Sequence, residues 1–119
     1  MQYTDFGYEL VERDIKRLKK LKSLKEDLDI FYTAHTNQLN DFGRLSCEIA
    51  STPNYKIYKD RIAVTNPFTP PSKGCRLWFV ITKDGFYIRC LIYQANEESK
   101  FTKSICFKAI KDRLSEILI

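Results

Sequence analysis

The sequence predicts an α+β fold in one domain over residues 1–119, with an N-terminal helical hairpin, an antiparallel sheet and a C-terminal helix. Three observations carry this. Apolar residues recur at spacings of three and four near both ends of the chain, the period of a helix with one buried face. Between them lie runs rich in Val, Ile, Tyr and Phe, punctuated by Pro, Gly, Asn and Asp, which read as strands and turns. A chain of 119 residues is also long enough for one hydrophobic core and too short for two.

The first helix is expected over Tyr8 to Leu21, where Leu10, Val11, Ile15, Leu18 and Leu21 share a face and Arg13, Lys16, Arg17, Lys19 and Lys20 surround it. Ser23 stands three residues before Glu26, a capping-box spacing that starts a second helix. Its stripe is Leu24, Leu28 and Phe31, with Ile30 and His35 beside it. A histidine in that setting reads as a partly buried, hydrogen-bonded residue rather than a catalyst. Residues 38–55 are polar, contain Gly43 and Pro53, and read as a connection with a short helical or extended piece.

Tyr55 to Thr65 reads as a strand. Asn66-Pro67 then opens a loop with Pro70, Pro71 and Gly74, which excludes a central strand there. Cys75 to Thr82 and Phe86 to Gln94 are two further strands joined through Asp84-Gly85, a dipeptide favoured in type I′ hairpin turns. That turn sets a register. One face pairs Ile81 with Ile88, Phe79 with Cys90 and Leu77 with Ile92, all apolar, and so meets the core. The other pairs Thr82 with Tyr87, Val80 with Arg89, Trp78 with Leu91 and Arg76 with Tyr93, a cationic and aromatic strip that an antiparallel sheet can leave open to water. If Tyr58, Ile62 and Val64 point to the core, Lys59 and Arg61 join Arg76 on that strip. The last helix is expected from Lys103 to about Leu118, with Thr102 as its cap. Ile105, Cys106, Ala109, Ile110, Leu114 and Ile117 lie on one side; Lys108, Lys111, Asp112 and Arg113 make a solvated face.

Composition narrows the function classes. Lys and Arg outnumber Asp and Glu by 20 to 15, and a net charge of +5 fits a nucleic-acid partner or an acidic protein partner. Cys47, Cys75, Cys90 and Cys106 form no C-x-x-C and His35 is the single histidine, so no metal site and no cofactor is expected. Free thiols suit a reducing cytoplasm, with Cys90 and Cys106 as small core residues. The absence of an apolar leader and of any run near ~18 apolar residues argues against export and against a membrane partner.

Lys59, Arg61, Arg76 and Arg89 with Trp78, Tyr87 and Tyr93 match what binds phosphates by charge and bases by stacking. The competing reading is an aromatic cluster covered by the terminal helix or a partner, with the arginines capping it. No Ser-His-Asp arrangement, no G-x-x-x-x-G-K-[ST] and no G-x-G-x-x-G is present. What remains is a cationic site able to stabilise the charge of a 2′-hydroxyl attack on an RNA phosphate.

Asp14-Ile-Lys-Arg-Leu-Lys-Lys followed by Ser23-Leu-Lys-Glu-Asp-Leu28 resembles the helical hairpin that opens RelE/ParE-superfamily toxins of type II toxin–antitoxin systems. Tyr58-Lys-Asp-Arg-Ile-Ala-Val64 looks like that family's first central strand. Ser72-Lys-Gly-Cys-Arg-Leu-Trp-Phe-Val-Ile81 and Phe86 to Tyr93 resemble the strands that follow. The resemblance spans roughly residues 8–101 and implies a helical hairpin on a twisted antiparallel sheet. It further implies a small acidic antitoxin as partner, and a RelE-like, ribosome-dependent endoribonuclease (an mRNA interferase) acting on mRNA. The alternatives are a ParE-like toxin directed at DNA gyrase and a non-catalytic binding module that keeps the fold. By the same resemblance Lys59, Arg61 and Arg76 take the places of catalytic, phosphate-stabilising cations; Arg89, Tyr87, Tyr93 and Trp78 of the strip, with Lys100, are the candidate RNA-binding residues. Where active RelE-like enzymes carry an arginine and then a tyrosine or histidine, this chain has Gln94-Ala-Asn-Glu-Glu-Ser-Lys-Phe101. Phe101 has no hydroxyl and Lys100 is the one cation of that stretch.

Overall fold

The computed structural model describes residues 3–42 and 48–117. Its elements are β1 (Thr4–Asp5), α1 (Glu12–Arg17), α2 (Leu24–Phe42), β2 (Glu48–Ser51), β3 (Tyr55–Ile62), β4 (Cys75–Thr82), β5 (Phe86–Gln94), a 3₁₀ helix (Ala95–Lys100) and α3 (Lys103–Ser115). The fold is α+β, with one sheet of five strands in the order β1-β5-β4-β3-β2. Every pairing is antiparallel except the short parallel contact of β1 with β5. No helix among the described residues is long and apolar enough to cross a membrane.

The helical hairpin departs from its expected outline. Only Glu12–Arg17 is helical in the first segment, yet the turns on either side still deliver Val11, Leu18 and Leu21 to the core. Ser23 does not form the expected box with Glu26. Its hydroxyl donates to Asp27 Oδ2 at 2.8 Å and accepts from the Asn66 amide at 2.8 Å, while Asp27 also holds the backbone and hydroxyl of Thr65. The start of α2 is thereby tied to the loop that follows β3. Cys47 and the expected helix end at Leu118 lie outside the described residues.

The β4–β5 hairpin holds the main correction. A type I′ turn needs positive φ at both central residues. Here the Gly85 amide bonds to the Thr82 carbonyl across Lys83 and Asp84, and among the described residues only Gly7 and Gly85 have positive φ. This is the longer loop closed by a left-handed glycine, and it shifts the register by one residue. Ile81 faces Tyr87, Val80 faces Ile88 and Phe79 faces Arg89. A bulge then sits between Trp78 and Phe79 with Cys90 as the extra residue, restoring the expected pairs Trp78–Leu91, Leu77–Ile92 and Arg76–Tyr93. Two irregularities cancel.

The cancellation moves Tyr87 and Arg89 to the opposite face from Arg76, Trp78 and Tyr93. Tyr87 joins Leu77, Phe79, Ile81, Ile92, Tyr58 and Ile62 under α1 and α2, against Leu18, Leu24 and Leu28. The other face is not open either. Ile57, Trp78, Val80, Ile88, Leu91 and Tyr93 pack under α3, against Cys106, Ile110 and Leu114. Each fully buried Leu, Ile or Phe contributes about 1.5–3 kcal/mol, so covering this face with α3 outweighs leaving an aromatic strip in water. Ile105, expected on the packed side of α3, is half exposed. Arg113, expected on the solvated side, is drawn inward to Asp14.

Candidate functional site: a cationic cleft closed by a glutamate

The parity expected for the third strand holds. Strand β3 pairs with β4 so that Lys59 faces Trp78 and Arg61 faces Arg76, while Tyr58 and Ile62 point to the hairpin side. Lys59, Asp60, Arg61, Arg76 and Glu98 line a shallow cleft of about 250 Å³ at the end of the sheet next to the 3₁₀ helix. Two arginines directly opposite each other on one face repel. The local geometry resolves this by turning Arg76 into the chain. Its guanidinium donates to the carbonyls of Pro71 at 3.0 Å, Ser72 at 3.0 Å and Cys75 at 3.3 Å, and the residue is only 6% exposed. The Pro-rich loop is thus a cradle for one cation. Gly74 permits it, because a Cβ there would lie 2.0 Å from the Ile62 carbonyl oxygen.

Lys59 is placed by its strand and by Trp78, whose ring lies 5.5 Å from the ammonium, within cation–π range. Glu98 closes the constellation. Its Oε1 accepts from Lys59 Nζ at 2.8 Å and from Arg76 Nε at 3.3 Å. The hydrogen bond from Lys59 first, and the charges of Lys59 and Arg76 against the opposing effect of burial, hold the Glu98 carboxyl below the ordinary carboxylate range. Arg61 is exposed, and no ion pair among the described residues engages its guanidinium. It also borders a neighbouring groove of about 310 Å³ with Ile30, Phe31, Ala34 and Pro71.

The remaining expected site residues are dispersed. Trp78 lies beneath Lys59 but is 2% exposed and donates its indole N–H to the Tyr93 hydroxyl at 3.1 Å. Tyr93 is fully buried, with Phe101 stacked on its ring at 4.2 Å, and burial pushes its hydroxyl up to about 12. Phe101 therefore seals Tyr93 away from any substrate. Arg89 sits on the far side of the sheet, 1% exposed, amid the rings of Tyr8, Tyr32 and Tyr87 at 4.7, 5.2 and 5.4 Å. It pairs with Asp5 and donates to the Gly7 carbonyl, so it pins β1 to the sheet rather than meeting a ligand. Lys100 is exposed at the end of the 3₁₀ helix and does not line the cleft. Trp78 and Tyr93 are covered by the terminal helix, as the competing reading expects, whereas Tyr87 and Arg89 are buried on the opposite face by the N-terminal elements.

His35 is 7% exposed, packs on Phe31 with ring centroids 3.6 Å apart, and meets Asp60 through Nε2 at 3.0 Å. That is the buried, hydrogen-bonded role expected of it. Glu98 is the member that sequence reasoning missed. The signal available was Gln94 three residues before Glu97, the capping box that forms the 3₁₀ helix and so carries Glu98 to the cleft. Among the described residues no group of three His, Cys, Asp or Glu side chains could hold a metal ion. The chain matches no protein-family model, no curated protein and no solved structure.

Proposed function

We propose that the chain is the toxin component of a type II toxin–antitoxin pair of the RelE/ParE kind, acting as a ribosome-dependent mRNA endoribonuclease through the cleft of Lys59, Arg61 and Arg76. The observation that carries this reading is the convergence of those three cations on one cleft, whereas Trp78, Tyr87, Tyr93 and Arg89 are buried and Lys100 lies outside the cleft. The order of helical pair, antiparallel sheet and terminal helix supports it. In such a reaction the 2′-oxygen bonds to phosphorus as the P–O5′ bond breaks. The 2′-oxygen loses its proton and the departing 5′-oxygen gains one. Cations fixed before substrate arrives stabilise the charge that gathers on the phosphoryl oxygens. Arg76 is fixed by three carbonyls and Lys59 by Trp78. The partner is a small acidic antitoxin, in keeping with the net charge of +5 and with the groove that Arg61 shares with the exposed Ile30.

The test is inducible expression in a bacterial host, with ribosome-bound mRNA examined for cuts. The variant is Lys59→Ala with Arg61→Ala, because Arg76 also holds its loop together. Arrest and cleavage are expected in the parent, with cleavage falling by about 100-fold or more in the double variant. Equal arrest by both would remove the cleft from the mechanism. The burial of Tyr93 under Phe101 favours a second reading, a binding module of the same fold without nuclease chemistry; harmless overexpression of the parent would select it. Arrest with intact mRNA and DNA-damage signalling would select the gyrase-directed alternative.

A further inference from the structure

We propose that Glu98 is a built-in gate on the cleft: its carboxylate occupies the seat of a substrate phosphate between Lys59 and Arg76 and must swing out before a phosphodiester enters. This rests on the reading of the cleft as an RNA-phosphate site and adds its regulation. The two cations keep their positions without Glu98. Arg76 is held through Nη1 by the carbonyls of Pro71 and Cys75 and through Nη2 by that of Ser72, and it meets Glu98 through Nε. Lys59 rests over Trp78. With Glu98 withdrawn, Lys59 and Arg76 would lose the carboxylate oxygen they share, with Arg61 opposite Arg76 on the same face, a concentration of positive charge that favours another anion. The second carboxylate at the rim is otherwise engaged, since Asp60 accepts from the Arg61 amide at 2.7 Å and meets His35 at 3.0 Å.

Glu98 is also free to leave. Its side chain is 42% exposed, so it rotates directly into water. The segment that carries it stays anchored without it: Glu97 accepts from the Gln94 amide at 3.1 Å and pairs with Arg17 of α1 at 2.7 Å. Opening therefore costs two partly exposed ion pairs and no secondary structure.

The experiment measures binding of a fluorescent single-stranded RNA oligonucleotide by anisotropy, with inorganic phosphate as a separate competitor, for the parent, Glu98→Gln, Glu98→Ala and Arg61→Glu. Both Glu98 variants are expected to bind RNA roughly three- to tenfold tighter than the parent, the value of the exposed pairs released. Arg61→Glu added to Glu98→Gln should cancel the gain. If phosphate competes better against Glu98→Gln than against the parent, a lone phosphate fills the seat; if only RNA gains, the polymer backbone does. Unchanged RNA affinity in both Glu98 variants, with Arg61→Glu still weakening the parent, overturns the gate and leaves the cleft reading standing. Unchanged affinity in all variants overturns both.

Discussion

Asp14 and Arg113 meet as a two-pronged ion pair, Nη1 to Oδ2 at 2.5 Å and Nη2 to Oδ1 at 3.0 Å, and together they complete the bulge at Cys90. Arg113 donates to the Cys90 carbonyl at 2.9 Å and to the Leu10 carbonyl at 3.2 Å; Asp14 accepts from the Ile92 amide at 3.2 Å. One pair thus engages the carbonyl of the bulge residue Cys90 and the amide of Ile92 just beyond it, and joins α1, β5 and α3. Breaking a buried pair from one side strands the other charge, which costs about 3–5 kcal/mol. Arg113→Met should lose stability of that order in urea unfolding. A loss below about 1 kcal/mol would place the pair among ordinary surface bridges.

Tyr93 separates a structural from a chemical role. Its hydroxyl is the acceptor for the Trp78 indole N–H and is raised to about 12, chiefly by burial. Tyr93→Phe should therefore cost about 1–3 kcal/mol by leaving a buried donor without an acceptor. RNA binding and cleavage per folded molecule should not change. A selective loss of cleavage with stability intact would instead make this hydroxyl part of the chemistry.

Local pattern made much of this molecule legible, and particular residues show where it stopped. The parity of Lys59 and Arg61 against Tyr58 and Ile62 follows from the period of a strand, and it placed all three cleft cations on one face. Asp84-Gly85 located the hairpin but not its loop length. Lys83 and Asp84 avoid positive φ, and the compensating bulge at Cys90 depends on Asp14 and Arg113, 14 residues from one chain end and over 20 beyond the bulge along the sequence. No local window contains that partnership. Tyr87 and Arg89 change face because of that loop length, since they lie between the turn and the bulge that restores the expected pairs. Whether a mixed aromatic face meets water or a helix is likewise a tertiary question, decided here by α3 packing on Trp78 and Tyr93. Glu98 stayed hidden because a charge pair between residues 39 apart leaves no trace in spacing.

Gly74 supplies a steric prediction at the mouth of the cleft. A methyl group there would meet the Ile62 carbonyl oxygen at 2.0 Å, its carbon at 3.1 Å and the Pro70 carbonyl oxygen at 3.3 Å, all of them backbone atoms. The clash is relieved only by parting β3 from β4 beside the Ile62–Cys75 pair. Gly74→Ala should cost about 1–3 kcal/mol in thermal or urea unfolding, the range of overpacked sites. It should also loosen the carbonyl cradle of Arg76 and weaken RNA binding. Wild-type stability and affinity in this variant would mean that the two strands have room to separate.

The Lys59–Glu98 contact has a pH signature whose sign can be worked out. The Glu98 carboxyl is held below its ordinary 4.5, first by the hydrogen bond from Lys59. A depressed carboxylate binds fewer protons in the folded state than in the unfolded one near that pH. Its stabilising contribution is therefore complete above about 4.5 and is lost as the pH falls through the lower folded value. The stability difference between the parent and Glu98→Gln should be constant from pH 7 to about 5 and shrink below 4.5. Because the carboxylate is 42% exposed, salt should diminish the same difference. A carboxyl carbon-13 titration reads the group directly: the Glu98 midpoint should lie below 4.5 in the parent and rise in Lys59→Ala. Identical midpoints in the two proteins would mean that the pair is open in solution, with the phosphate seat already vacant before any substrate arrives.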